Sequence, residues 1–138
     1  MRAADPERGG VPIEFALGVG LLVLPIALMV LVFPTWTERQ SMARLAAQEA
    51  ARTVVLADDF AAGSAAGTGL AQEIAANHDL AGAIQAVEFS GSLERGATVE
   101  VTVRVTIPVP AIPFFGSGGA ISWSVRHAEQ VDAYRSFP

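Results

Sequence analysis

The chain has 138 residues, 51% of them hydrophobic, with no cysteine and a formal net charge of −5. That length holds one compact unit plus an anchor rather than several domains, and without cysteine there is no disulfide, thiol chemistry or cysteine metal site. All nine basic residues are arginine, and beyond Gln40 ten acids stand against six arginines; this diffuse acidic balance lacks the basic cluster of a nucleic-acid binder.

The chain opens on MRAADPERGG, a polar run rich in Gly and Pro that adds nothing to a core. From Gly9 to Trp36 it reads GGVPIEFALGVGLLVLPIALMVLVFPTW, and the 23 residues between Glu14 and Glu38 carry no charge. A bilayer core of about 30 Å needs roughly 20 such residues in a helix, so this run is long enough to span. A cleavable secretory signal is the rival, but its apolar region is usually about 7–15 residues and ends in small residues. Here the run is longer and ends in Phe33-Pro34-Thr35-Trp36, as expected of a retained anchor.

A carboxylate stands at the head of that anchor. Glu14 follows Val11-Pro12-Ile13 and precedes Phe15-Ala16-Leu17, inside the apolar run. An acid at mid-membrane costs about 2.5–3.5 kcal/mol on insertion scales, which makes an intramembrane acid a functional candidate. The plainer alternative leaves Glu14 at the interface in the first helical turn, where the helix dipole mildly favours it.

The segment Arg8-Gly9-Gly10-Val11-Pro12-Ile13-Glu14-Phe15 resembles the processing site of type IV pilin-like proteins, in particular the TadE-like pseudopilins of the tight-adherence (Tad) pilus system. Members carry a short polar leader ending in Gly, then an apolar stretch whose fifth residue is Glu, often followed by an aromatic residue. Mapped onto this chain, Met1–Gly9 is the leader, Gly10 begins the mature chain, Glu14 is its fifth residue and Phe15 its sixth. The resemblance implies cleavage between Gly9 and Gly10 by a membrane-embedded prepilin peptidase acting from the cytoplasmic side. It also implies other pilins or pseudopilins and the pilus assembly machinery as partners. The implied location is the bacterial cytoplasmic membrane, single-pass, with an extracytoplasmic C-terminal domain and a place in a cell-surface pilus.

A physical reading of the same residues stands beside it. Cutting before Gly10 creates an α-amino group within one helical turn of Glu14, a cation near neutral pH. In a low-dielectric layer an ammonium and a carboxylate seek each other, within one chain or between neighbours. Pairing between subunits would set their axial register, the role that the resemblance implies. Orientation also follows from the resemblance. Arg2 and Arg8 precede the anchor while Arg39, Arg44 and Arg52 follow it, so the positive-inside count alone does not favour a cytoplasmic N-terminus.

Within the anchor, Ala16 and Gly20 form a small-xxx-small pair suited to close helix packing, a pattern also frequent by chance. Pro25 removes a backbone donor and should bend the helix near Leu21–Leu24, and Pro34 disfavours helical geometry at Phe33. Thr35-Trp36-Thr37-Glu38 fits a capping box, and Trp36 suits a membrane–water interface. The expectation is therefore a membrane helix to about Phe33, a kink, and a restart near Thr35–Thr37.

The next helix is expected from Glu38 to about Ala57, with an apolar stripe of Met42, Leu45, Ala46, Ala50, Thr53 and Leu56 or Ala57. Such a stripe packs on its own domain or fills a partner's groove. Asp58-Asp59 and Ala61–Gly69 then break the pattern with small, flexible residues. The two acids lack the surroundings of a calcium site, so they read as a solvated helix end. A short helix from about Gly69 to Asn77 should point Leu70 and Ile74 inward. His78 falls in a turn and His127 in a strand, without a ligand motif that would make either a metal site.

Thr98–Ile107 alternates without error, placing five β-branched apolar residues on one face of an antiparallel strand. Gln85–Ser90 offers Val87 and Phe89 to the same side, with Gly91–Gly96 closing a hairpin. Ala120–Val131 alternates as Ile121, Trp123 and Val125 before losing its rhythm. Between the last two strands, Pro108–Gly119 holds three prolines, which exclude a central strand, yet Ile112, Phe114 and Phe115 are strongly apolar for a loop. That loop suits core covering, a membrane surface or another subunit. A Pro-containing apolar segment before the last strand is also similar to TadE-like chains.

The expected fold is α+β: a long kinked N-terminal membrane-spanning helix continuing into a small domain with a short helix and a three-stranded antiparallel sheet. The expected division is a leader over 1–9, a transmembrane helix over 10–36 and an extracytoplasmic domain over 37–138. Three functional classes fit: a pseudopilin-like assembly subunit, an unprocessed single-span binding module at the cell surface, and an enzyme. No nucleophile elbow, zinc-binding helix or phosphate loop appears, so catalytic, cofactor-binding and metal residues are all expected to be none.

Overall fold

The computed structural model describes residues 10–109, 111, 116 and 118–134. Helix α1 runs from Gly10 to Leu56 and helix α2 from Phe60 to Asn77. Strands β1 (Ile84–Gly91), β2 (Thr98–Val109) and β3 (Gly119–Gln130) follow, forming an antiparallel sheet in the order β1-β2-β3. The fold is α+β, with a long apolar N-terminal helix, a second helix and a three-stranded sheet. By contacts the chain divides into two units, one ending at Pro34 and one beginning at Thr35. The second is called the head below.

Helix α1 is continuous through both Pro25 and Pro34. The expected restart at Thr35–Thr37 is therefore absent, and Thr35–Glu38 is not a helix N-terminus. A proline deletes one ladder bond and crowds the preceding turn. Around Pro34, long flanking helical segments, from Ile26 to Val32 and from Glu38 to Leu56, carry the helix across that loss.

In the head, α1 buries two adjacent rows, Met42/Ala46/Ala50/Val54 and Ala43/Ala47/Ala51/Val55, each at most 8% exposed. The expected stripe is thus right at Met42, Ala46 and Ala50, half-buried at Thr53 and Ala57, and wrong at Leu45 and at Leu56, which are 41% and 70% exposed. Size decides this more than hydrophobicity. Alanine rows let the helix approach both the sheet and α2 closely, where leucines would hold them apart.

The largest departure is α2, which begins nine residues before the expected Gly69. Asp59 is its N-cap, in extended geometry, with its carboxylate accepting from the Ala62 N–H at 2.8 Å. Its buried row is Gly63, Gly67, Ala71 and Ala75, while Leu70 and Ile74 are half-buried beside it, Ile74 against the core. A Cβ on Gly63 would stand 2.7 Å from Ala57 Cβ and 3.1 Å from Val54 Cα. One on Gly67 would stand 3.1 Å from Ala50 O and from the Phe89 ring. Both glycines cost helix propensity of about 1 kcal/mol relative to alanine. Close packing on α1 offsets that cost.

The contrast with Gly69 is testable, because a Cβ there meets nothing within 4 Å. Gly67→Val should lower head stability by about 1–3 kcal/mol through overpacking. Gly69→Ala should raise it by about 0.4–1 kcal/mol. Chemical denaturation of the detergent-solubilised full chain measures both.

After α2 the chain reverses as expected in Asn77-His78-Asp79. Leu80 N–H donates to Ala75 O at 2.8 Å and Asp79 N–H to Ala76 O at 3.0 Å, with Asp79 at φ 57°. This is a Schellman stop with an aspartate in the left-handed position, and Leu80 closes over the core.

Strand β2 is the centre of the sheet and behaves as its alternation requires: Val99, Val101, Val103, Val105 and Ile107 are at most 5% exposed. Val87 and Phe89 of β1 stand opposite Val103 and Val101 on the same face. The outer face carries exposed ion pairs, Arg104–Glu88 at 3.4 Å and Arg126–Glu100 at 3.8 Å. Contrary to expectation Pro108 lies inside β2, opposite Ala120. Pairing with β1 stops at Val105↔Ile84, so β2 is one-sided there and needs no donor from the proline. The Thr106 carbonyl, past the end of β1, instead accepts from Arg39 Nη1 at 2.8 Å.

Candidate functional site

The first candidate is the N-terminal stretch of α1. Gly9 and the rest of the leader lie outside the described residues. Gly10 is the first helical residue, so Glu14 stands four residues on, on the same helix face. From Pro12 to Val30 every side chain is exposed except the half-buried Leu28, including Ile13 at 71% and Phe15 at 74%. A helix apolar on all sides requires an apolar medium or other helices around it. Length and composition make α1 able to cross a membrane.

Glu14 makes no ion pair or hydrogen bond with any described residue. It edges a shallow groove lined by Phe15, Gly18, Val19 and Leu22. Gly18 lines that groove without a side chain, and a Cβ there would meet nothing within 4 Å. The carboxylate thus borders an apolar depression with no cation of its own among the described residues. Ala16 and Gly20 are exposed one turn apart, and nothing lies within 4 Å of a Cβ at Gly20. Gly18 is a feature that residue-by-residue reading passes over; its position one turn after Glu14 is the signal that would have found it.

The second candidate, the apolar loop with Ile112, Phe114 and Phe115, lies outside the described residues. At the neighbouring end of the sheet, Trp36 of α1 packs edge-to-face on Trp123 of β3, with ring centroids 6.2 Å apart and planes at 78°. Sequence pattern placed each tryptophan separately; only the packing of α1 on β3 brings them together.

The histidines stay apart. His78 caps α2 in solvent. His127 lies on β3 with Nε2 3.1 Å from Glu129 Oε2, a neighbour two residues on along the same face of the strand. Among the described residues no group of three or more His, Cys, Asp or Glu converges as a metal site would require. An open groove at the far end of the head is lined by Arg52, Val55, Leu56, Glu129, Gln130 and Asp132, of mixed charge.

No family model matches the chain, and no curated protein or solved structure is detectably similar to it.

Proposed function

We propose that the chain is a minor pseudopilin-like subunit of a Tad-type pilus, of the TadE-like kind, which acts in assembly and not as an enzyme. Prepilin peptidase hydrolyses the Gly9–Gly10 peptide bond, leaving a carboxylate on the leader and an amine on Gly10. Residues 10–36 hold the mature chain in the bacterial cytoplasmic membrane, and residues 37–138 form the extracytoplasmic domain. Its partners are the peptidase, other pilins or pseudopilins, the assembly machinery and the bilayer.

The observation that carries this is the placement of one carboxylate. Glu14 is the only charge between Arg8 and Glu38, lies four residues after Gly10, and borders an apolar groove without a cation among the described residues. An uncompensated acid in an apolar layer is unfavourable until a positive partner arrives. Processing supplies one such partner per subunit. Between neighbouring copies, the Gly10 ammonium of one chain meets Glu14 of the next, and the helices lock in one axial register. The groove at Gly18 and the small residues Ala16 and Gly20 admit an adjacent helix closely.

The test is the N-terminus of protein purified from membranes of the native host. Intact-mass and N-terminal peptide measurements should find Gly10 first, with residues 1–9 missing. An intact leader on assembled, working protein would eliminate the pseudopilin reading and leave the unprocessed single-span binding module.

A further inference from the structure

Strand β3 is an edge of the sheet, and the side chains it turns toward the helix layer fall into two halves. The pairs Ile107↔Ile121, Val105↔Trp123, Val103↔Val125, Val101↔His127 and Val99↔Glu129 put these five β3 residues on the face of the core valines. Past Val125 the face is polar, and His127 and Glu129 contact each other at 3.1 Å. Before it the face is apolar and open: Ile121 is 58% exposed and Trp123 39%, continuing to Val109 at 37%. An edge that met only water along its length would be polar throughout, as its far half is.

Two further observations mark the apolar half. Both tryptophans of the chain gather there, and Trp36 lies only two residues beyond Pro34, the end of the apolar unit. Two helical residues advance about 3 Å, so Trp36 follows Pro34 within one turn along α1. Charge is sorted in the same sense. Val101–Val109 and Gly119–Ala128 contain no acid, and Arg39 is anchored there on Thr106 O at 2.8 Å. Glu100, Glu129 and Asp132 stand toward the other end, and Glu88 of β1 is taken up by Arg104 on the outer face.

We infer that Trp36, Val109, Ile121 and Trp123 form a lipid-facing foot, seated in the interfacial layer of an anionic phospholipid bilayer. Tryptophan favours that layer, with its ring in the acyl boundary and its N–H toward water. Arg39, held on Thr106 O beside this surface, suits anionic headgroups. The foot ties one edge of the sheet to the bilayer and so limits rotation of the head. The inference rests on the reading of residues 10–36 as a span.

The full chain reconstituted into phosphatidylcholine/phosphatidylglycerol vesicles tests it, with a fraction of the lipid brominated just below the carbonyl. Trp36→Phe leaves Trp123 as the one tryptophan, and Trp123→Phe leaves Trp36. Trp123 emission should fall at least about twofold on bromination and be shielded from aqueous iodide, as interfacial seating requires. Quenching of Trp36 without Trp123 would overturn the foot while leaving the span intact. Quenching of neither would remove both. Shielding of Trp123 from iodide that grows with protein per vesicle, without bromolipid quenching, would assign the surface to a second copy and also overturn the proposal. Because the chain lacks cysteine, Ile121→Cys carrying an environment-sensitive dye repeats the measurement with the tryptophan pair intact. Its dye should be quenched by the brominated lipid, and a dye reporting water there would equally overturn the foot.

Discussion

Val101→Asp is expected to abolish the cooperative unfolding transition of the head. Val101 is 0% exposed, on the central strand, opposite Phe89 on one side and His127 on the other. Arg104 and Arg126 lie on the outer face with Glu88 and Glu100, and the facing His127 is already engaged by Glu129 at 3.1 Å. A carboxylate forced into that position is either buried unpaired or neutralised at large cost. Losses above about 4 kcal/mol arise from few mechanisms, and burying an unpaired charge is one of them. Small domains hold only about 5–15 kcal/mol in total, and one built on valine and alanine should lie at the low end. Two companions separate the mechanism from general fragility. Val101→Thr keeps the shape and should cost about 1–3 kcal/mol, the price of an imperfectly bonded hydroxyl. Glu100→Gln, one residue away on the wet face, should stay within about 0.5 kcal/mol. Denaturant titration followed by tryptophan emission measures all three, since the Trp36–Trp123 pair reports whether α1 is still docked on β3. An unchanged midpoint for Val101→Asp would mean that this face is not the core.

The same strand shows what the sequence makes legible. Thr98–Ile107 could be read residue by residue because a period of two is local, and each valine on the covered face needs no information from elsewhere. Glu14 is conspicuous for a similar reason: an acid inside an apolar run stands out by type alone. Gly63 and Gly67 are the opposite case. In isolation they look like breakers, and only the close approach to Ala50, Val54 and Ala57 makes glycine a favourable choice on a helix. That information lies on another helix. Leu45 and Leu56 mislead likewise, because an apolar stripe records hydrophobicity while the packed rows are chosen for small size. Continuity through Pro34 is a balance between one lost bond and two strong flanking segments, which a local rule about the residue before proline does not weigh. Pro108 shows the same limit: its exclusion from a central strand is sound, but β2 stops being two-sided before reaching it. The lipid-facing foot needed register, since Trp36 and Trp123 are separated by most of the head in sequence. The groove beside Glu14 needed only the helix period, which brings Gly18 under the acid one turn later.

Glu14→Gln should block incorporation into an assembly while leaving processing, insertion and the head intact. The amide matches the acid in size and still accepts a hydrogen bond, so a defect would isolate the charge. Truncating one partner of a desolvated charge pair typically costs about 2–5 kcal/mol, and about 1.4 kcal/mol is tenfold in an equilibrium. At least a tenfold fall in the assembled fraction is therefore expected. Insertion should be unharmed or improved, since removing an acid from an apolar layer lowers its transfer cost. The denaturation midpoint of the head should not move, because its buried core is built from residues between Met42 and Val131. Glu14→Asp refines the test. It keeps the charge but withdraws it by one methylene, so an ion-pairing role predicts a partial defect, smaller than that of glutamine. A role for side-chain length alone predicts the reverse order, with aspartate worse than glutamine. Assembled and membrane fractions of the native host, compared by quantitative immunoblot, distinguish these outcomes. Incorporation of Glu14→Gln at the parental level would eliminate charge pairing as the basis of axial register. In that event Gly18, Ala16 and Gly20 would remain as a purely steric packing face, and Gly18→Leu would become the variant expected to disrupt assembly.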